Sequence, residues 1–289
     1  MASYIEFNLR FLFFIVLSII IFFKDEANHW FIRSEMTREL WPAKNRNSHN
    51  FLTRENLIDE HGAMIRGDVS KKELTLVFSG DEFADGGEII RSTLHNHDAK
   101  AAFFLTGNFY QNPAFKSLII NLKKDGHYLG AHSDQHLLYA DWTNRDSLLV
   151  SKKEFTRDLN NNYKRMEKFG IKKENASYFL PPYEWYNAQI AKWTREAGLQ
   201  LINFTPGTRS TADYTFPEMN ERYRSSEKIY NSIIDYEKED PNGLNGFILL
   251  IHIGTDPRRT DKFYDKLDDL LTFLKNNNYK MVSLRELLN

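Results

Sequence analysis

The sequence predicts an α/β fold, a distorted (β/α) barrel of about seven strand–helix units. Three observations carry that expectation. Apolar runs of strand length alternate with longer stretches of helical period, glycines stand where helices end, and the residues capable of chemistry directly follow the strands. Apolar strands alternating with helices make a parallel sheet with covered faces. In such barrels the chemistry gathers at the carboxyl ends of the strands. The 289 residues are ample for one large domain of this kind.

The chain opens differently. Residues 11–23 are an unbroken apolar run after Arg10. The run is shorter than the roughly 17–25 residues that span a bilayer and falls within the range of a signal-peptide core. Residues 24–30 contain no small-x-small cleavage site. Residues 1–29 are therefore read as a signal peptide or membrane anchor. The expected location is outside the inner membrane, in the cell envelope or periplasm, with membrane contact through this segment if it stays uncleaved. Residues 30–72 are polar and irregular, a stalk and a lead-in segment packed on the domain. Residues 73–289 form the expected catalytic domain.

Within that domain strands are expected at 74–78, 101–105, 128–131, 178–180, 199–203, 247–251 and 280–282. Helices are expected at 88–97, 113–124, 146–169, 187–197, 225–237 and 261–276. Asn187 and Asp261 stand at N-cap positions, and Gly126, Gly170 and Gly198 stand where a left-handed residue ends a helix. Acidic and basic residues number 39 and 38, so charge gives no reason to expect a nucleic-acid partner. There are no cysteines, which excludes disulfides, thiolate zinc sites and cysteine nucleophiles. Aromatic residues make up 14%, which suits sugar stacking as well as core packing.

His132 and His136 follow the strand at 128–131, and a spacing of four puts both rings on one side of a helical turn, close enough to share a cation. A third donor is needed, and Asp81, just past the strand at 74–78, is the anionic oxygen at hand; Glu82 and Asp85 share its loop. His252 closes the most apolar strand, with Asp256 and Asp261 available to orient it. The run from Pro181 to Asn187 is stiffened by two prolines and presents Tyr183, Glu184, Trp185 and Tyr186. Aromatic faces beside a carboxylate suit a sugar ring, and Tyr139, Trp142, Tyr183 and Trp185 are candidate substrate platforms.

These residues resemble the NodB-type polysaccharide deacetylases of carbohydrate esterase family four, over about residues 73–288. The family's metal motif H-[ST]-x-x-H is met by His132 to His136. Lys100 to Gly107 is similar to its A-T-F-F-x-x-G strand, Asp125 to His132 to the lead-in of the metal motif, and Phe247 to His252 to the late L-L-x-H motif. Two motifs depart. Where the family has T-F-D-D-G, with a base and a metal ligand in succession, this chain has Ser79 and Gly80 at the two aspartate positions. Where it has R-x-P-x-G, Leu180 replaces the arginine and Glu184 the glycine.

The resemblance implies a NodB-like barrel and hydrolysis of acetyl groups on an N-acetylated, or less often O-acetylated, glycan. It also implies a divalent metal, Zn²⁺ first, with Co²⁺, Ni²⁺ or Mn²⁺ suiting the same ligands. The ligands would be Asp81, His132 and His136. His252 would be the general acid, and Glu82 or Glu184 the base. The departures leave a rearranged site or an inactive one, so a carbohydrate-binding descendant without turnover stands as the second reading. A barrel glycosidase using Glu82 and Glu184 as paired carboxylates ranks last, since it leaves the histidine pair without a purpose.

Overall fold

The computed structural model describes residues 57–289. The apolar run at 11–23, the expected anchor at 1–29 and most of the stretch at 30–72 lie outside the described residues. Of the described chain, 57–141 and 145–289 form one compact unit, and residues 142–144 fall outside it.

In chain order the elements are β1 (Leu57–Ile58), β2 (Met64–Arg66), β3 (Glu73–Gly80), α1 (Gly87–Asn96), β4 (Ala101–Leu105) and α2 (Gly107–Gln111). There follow α3 (Lys116–Lys124), β5 (Tyr128–Ala131), α4 (Lys152–Glu167), β6 (Tyr178–Phe179), α5 (Ala188–Glu196) and β7 (Gln200–Leu201). The chain ends with α6 (Ser226–Glu239), β8 (Phe247–His252), α7 (Leu267–Asn276), β9 (Lys280–Met281) and α8 (Leu284–Leu288).

The strands make one sheet in the order β1-β2-β8-β3-β4-β5-β6-β7, with β9 also pairing β3. From β8 to β7 every pairing is parallel, while β2 runs antiparallel to β8. The sheet curls until its ends meet: Met64 bridges Ile202 just past β7, and Asn203 N–H donates to the Met64 carbonyl at 3.0 Å. This is the distorted barrel expected from the alternation. The sheet begins earlier than expected, since β1 and β2 come from the lead-in segment before residue 73.

Period-two alternation divides the core. Leu74, Leu76 and Phe78 of β3, with Leu249 and Ile251 of β8, pack outward against the helices. Val77, Ala102, Phe104, Ile248 and Leu250 fill the barrel interior. Each fully buried leucine or phenylalanine contributes about 1.5–3 kcal/mol of transfer free energy. The same phase continues at the strand ends: Ser79, His252 and His132 follow Val77, Leu250 and Gly130 on the inner face, whereas Gly80 follows Phe78 outward.

The helix ends obey local chemistry. Asn187 caps α5, its Oδ1 accepting from Gln189 N–H at 3.1 Å and Ile190 N–H at 3.0 Å. Gly126, Gly170 and Gly198 take φ of 78°, 67° and 74°, as a left-handed helix end requires. Two expectations need correction. The helix expected from residue 146 begins at Lys152, because Ser151 and Glu154 form a capping box there. Asp261 does not cap α7, which starts at Leu267; its carboxylate instead accepts Ser226 N–H at 2.7 Å.

Candidate active site

His132 directly follows β5 and is buried. Its N–H donates to Asn162 Oδ1 at 2.9 Å, and its Nδ1–H donates to the Leu180 carbonyl at 2.9 Å. A carbonyl accepts only, so Nε2 keeps the lone pair that a metal or a proton needs. Burial, then the neighbouring His136, pushes the His132 pKa down to about 3, so the ring is neutral near pH 7. Leu180, at the position of the family's arginine, serves this site through its backbone.

The loop from His132 to His136 is not the helical turn that the spacing predicts. Ser133 and His136 take left-handed φ of 73° and 52°, and the turn is held by α4. Asp158 accepts Asp134 N–H at 3.2 Å, Gln135 N–H at 3.0 Å and Tyr139 O–H at 2.6 Å. One helical turn on, Asn162 Nδ2 donates to the Leu105 carbonyl at 3.2 Å, tying the end of β4 to the end of β5. The long polar helix thus carries two buried side chains that shape the histidine loop. The imidazole centroids end 5.1 Å apart.

Asp81 lies past the end of β3 on the site side. Its Oδ1 accepts from Thr106 Oγ1 at 2.7 Å and from Asn108 Nδ2 at 3.3 Å, and its Oδ2 is 3.9 Å from His136 Nδ1. Glu82 is exposed. Asp85 belongs to the scaffold, accepting Thr255 N–H at 2.8 Å, Tyr264 O–H at 2.7 Å and Lys262 Nζ at 2.8 Å.

His252 Nδ1–H donates to Asp213 Oδ1 at 2.6 Å, while His252 N–H donates to Asp213 Oδ2 at 2.8 Å. The partner of His252 is therefore Asp213, not Asp256 or Asp261 as the sequence offered. Asp256 pairs with Arg258 at 2.6 Å. A fully buried carboxylate on Nδ1 fixes the tautomer and stabilises the imidazolium form. Ser79 pairs with His252 in the β3–β8 register, and its hydroxyl is buried with no hydrogen-bond partner.

The aromatic candidates separate. The Tyr183 ring sits 4.3 Å from His136, on a turn where Tyr183 and Glu184 take left-handed φ of 59° and 53°. Glu184 is half-buried beside it. Tyr139 is fully buried in the core, its hydroxyl committed to Asp158, and Trp185 is buried with its indole N–H on the Asp141 carbonyl. Trp142 lies in the 142–144 stretch, outside the compact unit that carries the histidines. Tyr214, which the sequence did not single out, has its ring 5.5 Å from His252.

The donor set fits a small divalent cation in kind, with two imidazoles, one already in the ligating tautomer, and one carboxylate edge. Among the described residues no three such side chains converge closely enough to hold one ion as they stand. The residues that sequence reasoning missed are Thr106, Asn108, Asp158, Asn162, Asp213 and Tyr214. Of these, only the Asp-Tyr pair at 213–214 carries a sequence signal, an acid beside an aromatic residue in a long connection.

Residues 66–202 match the family model described as polysaccharide deacetylase. Peptidoglycan-N-acetylglucosamine deacetylase PgdA of Listeria monocytogenes is 25% identical over 223 residues, which are 75% of this chain and 39% of that protein. Among solved structures, BA3943 of Bacillus anthracis, described as a CE4 family pseudoenzyme, is 20% identical with a TM-score of 0.62, covering 80% of this chain and 70% of that one. PdaA of Bacillus subtilis, a family 4 carbohydrate esterase, is 20% identical with a TM-score of 0.59, covering 79% and 85%. The last two share this fold.

Proposed function

We propose, from a chain whose residues 66–202 match the family model described as polysaccharide deacetylase, that this protein hydrolyses acetyl groups from an N-acetylated or O-acetylated polysaccharide or oligosaccharide. The observation that carries the proposal is the His252–Asp213 pair at 2.6 Å, at the same barrel end as the two-histidine loop. A proton donor held by a buried carboxylate is what departure of an amine requires, since an amine anion is too basic to leave unaided.

In this reading Asp81, His132 and His136 hold a divalent cation, zinc first. Such an ion, when bound, polarises the acetyl carbonyl and acidifies water. His252 delivers its Nε2 proton to the leaving nitrogen while its Nδ1–H stays donated to Asp213. Glu184 adjoins Tyr183, which packs on His136, and we assign it as the acceptor of the proton from the attacking water, with Glu82 the alternative. Tyr183 and Tyr214 offer ring faces for the sugar. The apolar run at 11–23 supports export and attachment to the cell envelope, where acetylated wall or capsular glycans are within reach. Among the described residues no helix is long and apolar enough to cross a membrane.

Ser79 and Gly80 at the two aspartate positions favour a second reading, a glycan-binding protein that no longer turns substrate over. Metal content and acetate release separate the two. Wild type and His132→Ala are compared on acetylated chitooligosaccharides and acetylated xylan, with and without chelator. Chelator-sensitive acetate release, lost in the variant, supports the deacetylase. Glycan binding that chelator leaves unchanged, with no acetate from any substrate, supports the binding protein.

A further inference from the structure

We propose that the turn Thr106–Gly107–Asn108 is the positioning element that registers Asp81 against the histidine loop. The proposal rests on the reading that Asp81, His132 and His136 share one ion.

Thr106 is fully buried, and its Oγ1 accepts Phe109 N–H at 3.1 Å as the N-cap of α2. A hydroxyl has a single proton, so with that acceptance made, its O–H is the group that meets Asp81 Oδ1 at 2.7 Å. Asn108 Nδ2 adds a second donor to the same oxygen at 3.3 Å. Both donors therefore fall on Oδ1, which leaves Oδ2 as the edge presented to His136.

The backbone of the same three residues grips both sides. Thr106 N–H donates to the Gly80 carbonyl at 3.0 Å, fixing the residue before Asp81. Gly107 N–H donates to the Ser133 carbonyl at 3.0 Å and Asn108 N–H to the Asp134 carbonyl at 3.1 Å, fixing the histidine loop. At Gly107 the fit is so close that a Cβ would stand 1.8 Å from Asp134 Oδ1. One turn thus sets the separation between the carboxylate and the imidazoles. Outer donors of this kind orient ligating carboxylates, and losing one typically weakens metal binding about 10–100-fold.

The test measures zinc affinity by calorimetry with a competing chelator on the intact protein, with thermal unfolding alongside. Thr106→Val should bind zinc about 10–100-fold more weakly, and Thr106→Ser should restore the affinity. Thr106→Val also removes the cap of α2, so Asn108→Ala, which leaves that cap in place, is the second arm and should show a smaller loss in the same direction. Zinc binding at wild-type strength in both Thr106→Val and Asn108→Ala overturns the proposal. If Asp81→Asn binds like wild type while His132→Ala does not, Asp81 is no ligand; the positioning role falls and the histidine metal centre stands. If wild type takes up no zinc, the metal reading falls and carries the positioning role with it.

Discussion

Gly80→Ala should destabilise the protein although it replaces a strand glycine with a better-suited residue. A Cβ built at Gly80 would lie 2.6 Å from Ile253 Cγ2 and 3.1 Å from both Leu105 Cδ2 and Phe109 Cε2. Carbon pairs settle at about 3.5–4.0 Å, so the overlap with Ile253 is close to 1 Å. Overpacking of that kind costs about 1–3 kcal/mol. The narrower unfolded ensemble of alanine offsets about 0.4–1 kcal/mol of it. A net loss of about 1–2 kcal/mol corresponds to a fall in Tm of about 2–4 °C for a chain of this size. Circular dichroism through the thermal transition measures it. In an Ile253→Ala background, where the clashing methyl is gone, the same change at Gly80 should cost about 1 kcal/mol less. A Gly80→Ala protein that melts at or above wild type, or an equal cost in both backgrounds, refutes the reasoning. The consequence for chemistry follows directly: an aspartate at 80 would drive a charge into the face formed by Ile253, Leu105 and Phe109, so Gly80→Asp should cost more still and leave the proposed metal site unaided.

Position 79 should behave in the opposite way. Ser79→Asp places a carboxylate on the inner face beside His252, and acetate release on acetylated chitooligosaccharides should rise about 100-fold over wild type, the low side of what a positioned base supplies. Asp213→Asn keeps an oxygen near His252 Nδ1 but removes the charge that steadies the imidazolium; kcat should fall about 100-fold or more with the unfolding transition little moved. Acid should weaken the fold through His127, which lies at the far end of β5 and whose pKa burial lowers to about 4. The unfolded chain takes up that proton below about pH 6.5 and the folded chain does not. Stability is therefore complete above pH 6.5 and declines toward pH 4, by about 2 kcal/mol after allowance for partial solvent access. Urea titrations at pH 7 and pH 4.5 should show the decline, and His127→Asn should reduce it, leaving the part that buried His132 contributes.

Much of the fold was legible because its signals are local. The strands around Leu76, Phe103, Leu129 and Leu249 are short apolar runs between clear breakers, and Asn187 with the glycines at 126, 170 and 198 punctuates them as expected. Period two alone sends Ser79 inward and Gly80 outward. The antiparallel strands at Leu57–Ile58 and Met64–Arg66 were missed because segments so short carry no periodicity and owe their conformation to the sheet they join. At the site, His132, His136 and His252 announce themselves by following strands. Asp213 does not: it sits in an irregular connection and reaches His252 across 39 residues of sequence. Tyr139 and Trp185 have the composition of sugar platforms, but residue type says nothing of burial, and both are enclosed. Thr106 and Asn108 lie in a plain helix start, and only tertiary packing gives them Asp81 as a partner.

The backbone at His136 has its own implication. A left-handed φ of 52° is a conformation that glycine reaches freely and that other side chains pay about 1 kcal/mol or more to hold. If folding were the only demand on this position, glycine would serve it better. His136→Gly should accordingly relieve the local strain while emptying the place of an imidazole, so that a loop tighter in hydrogen exchange goes with a loss of the proposed cation binding. An imidazole kept on unfavourable backbone supports the proposal that His136 serves the protein by what it binds, not by how the chain folds.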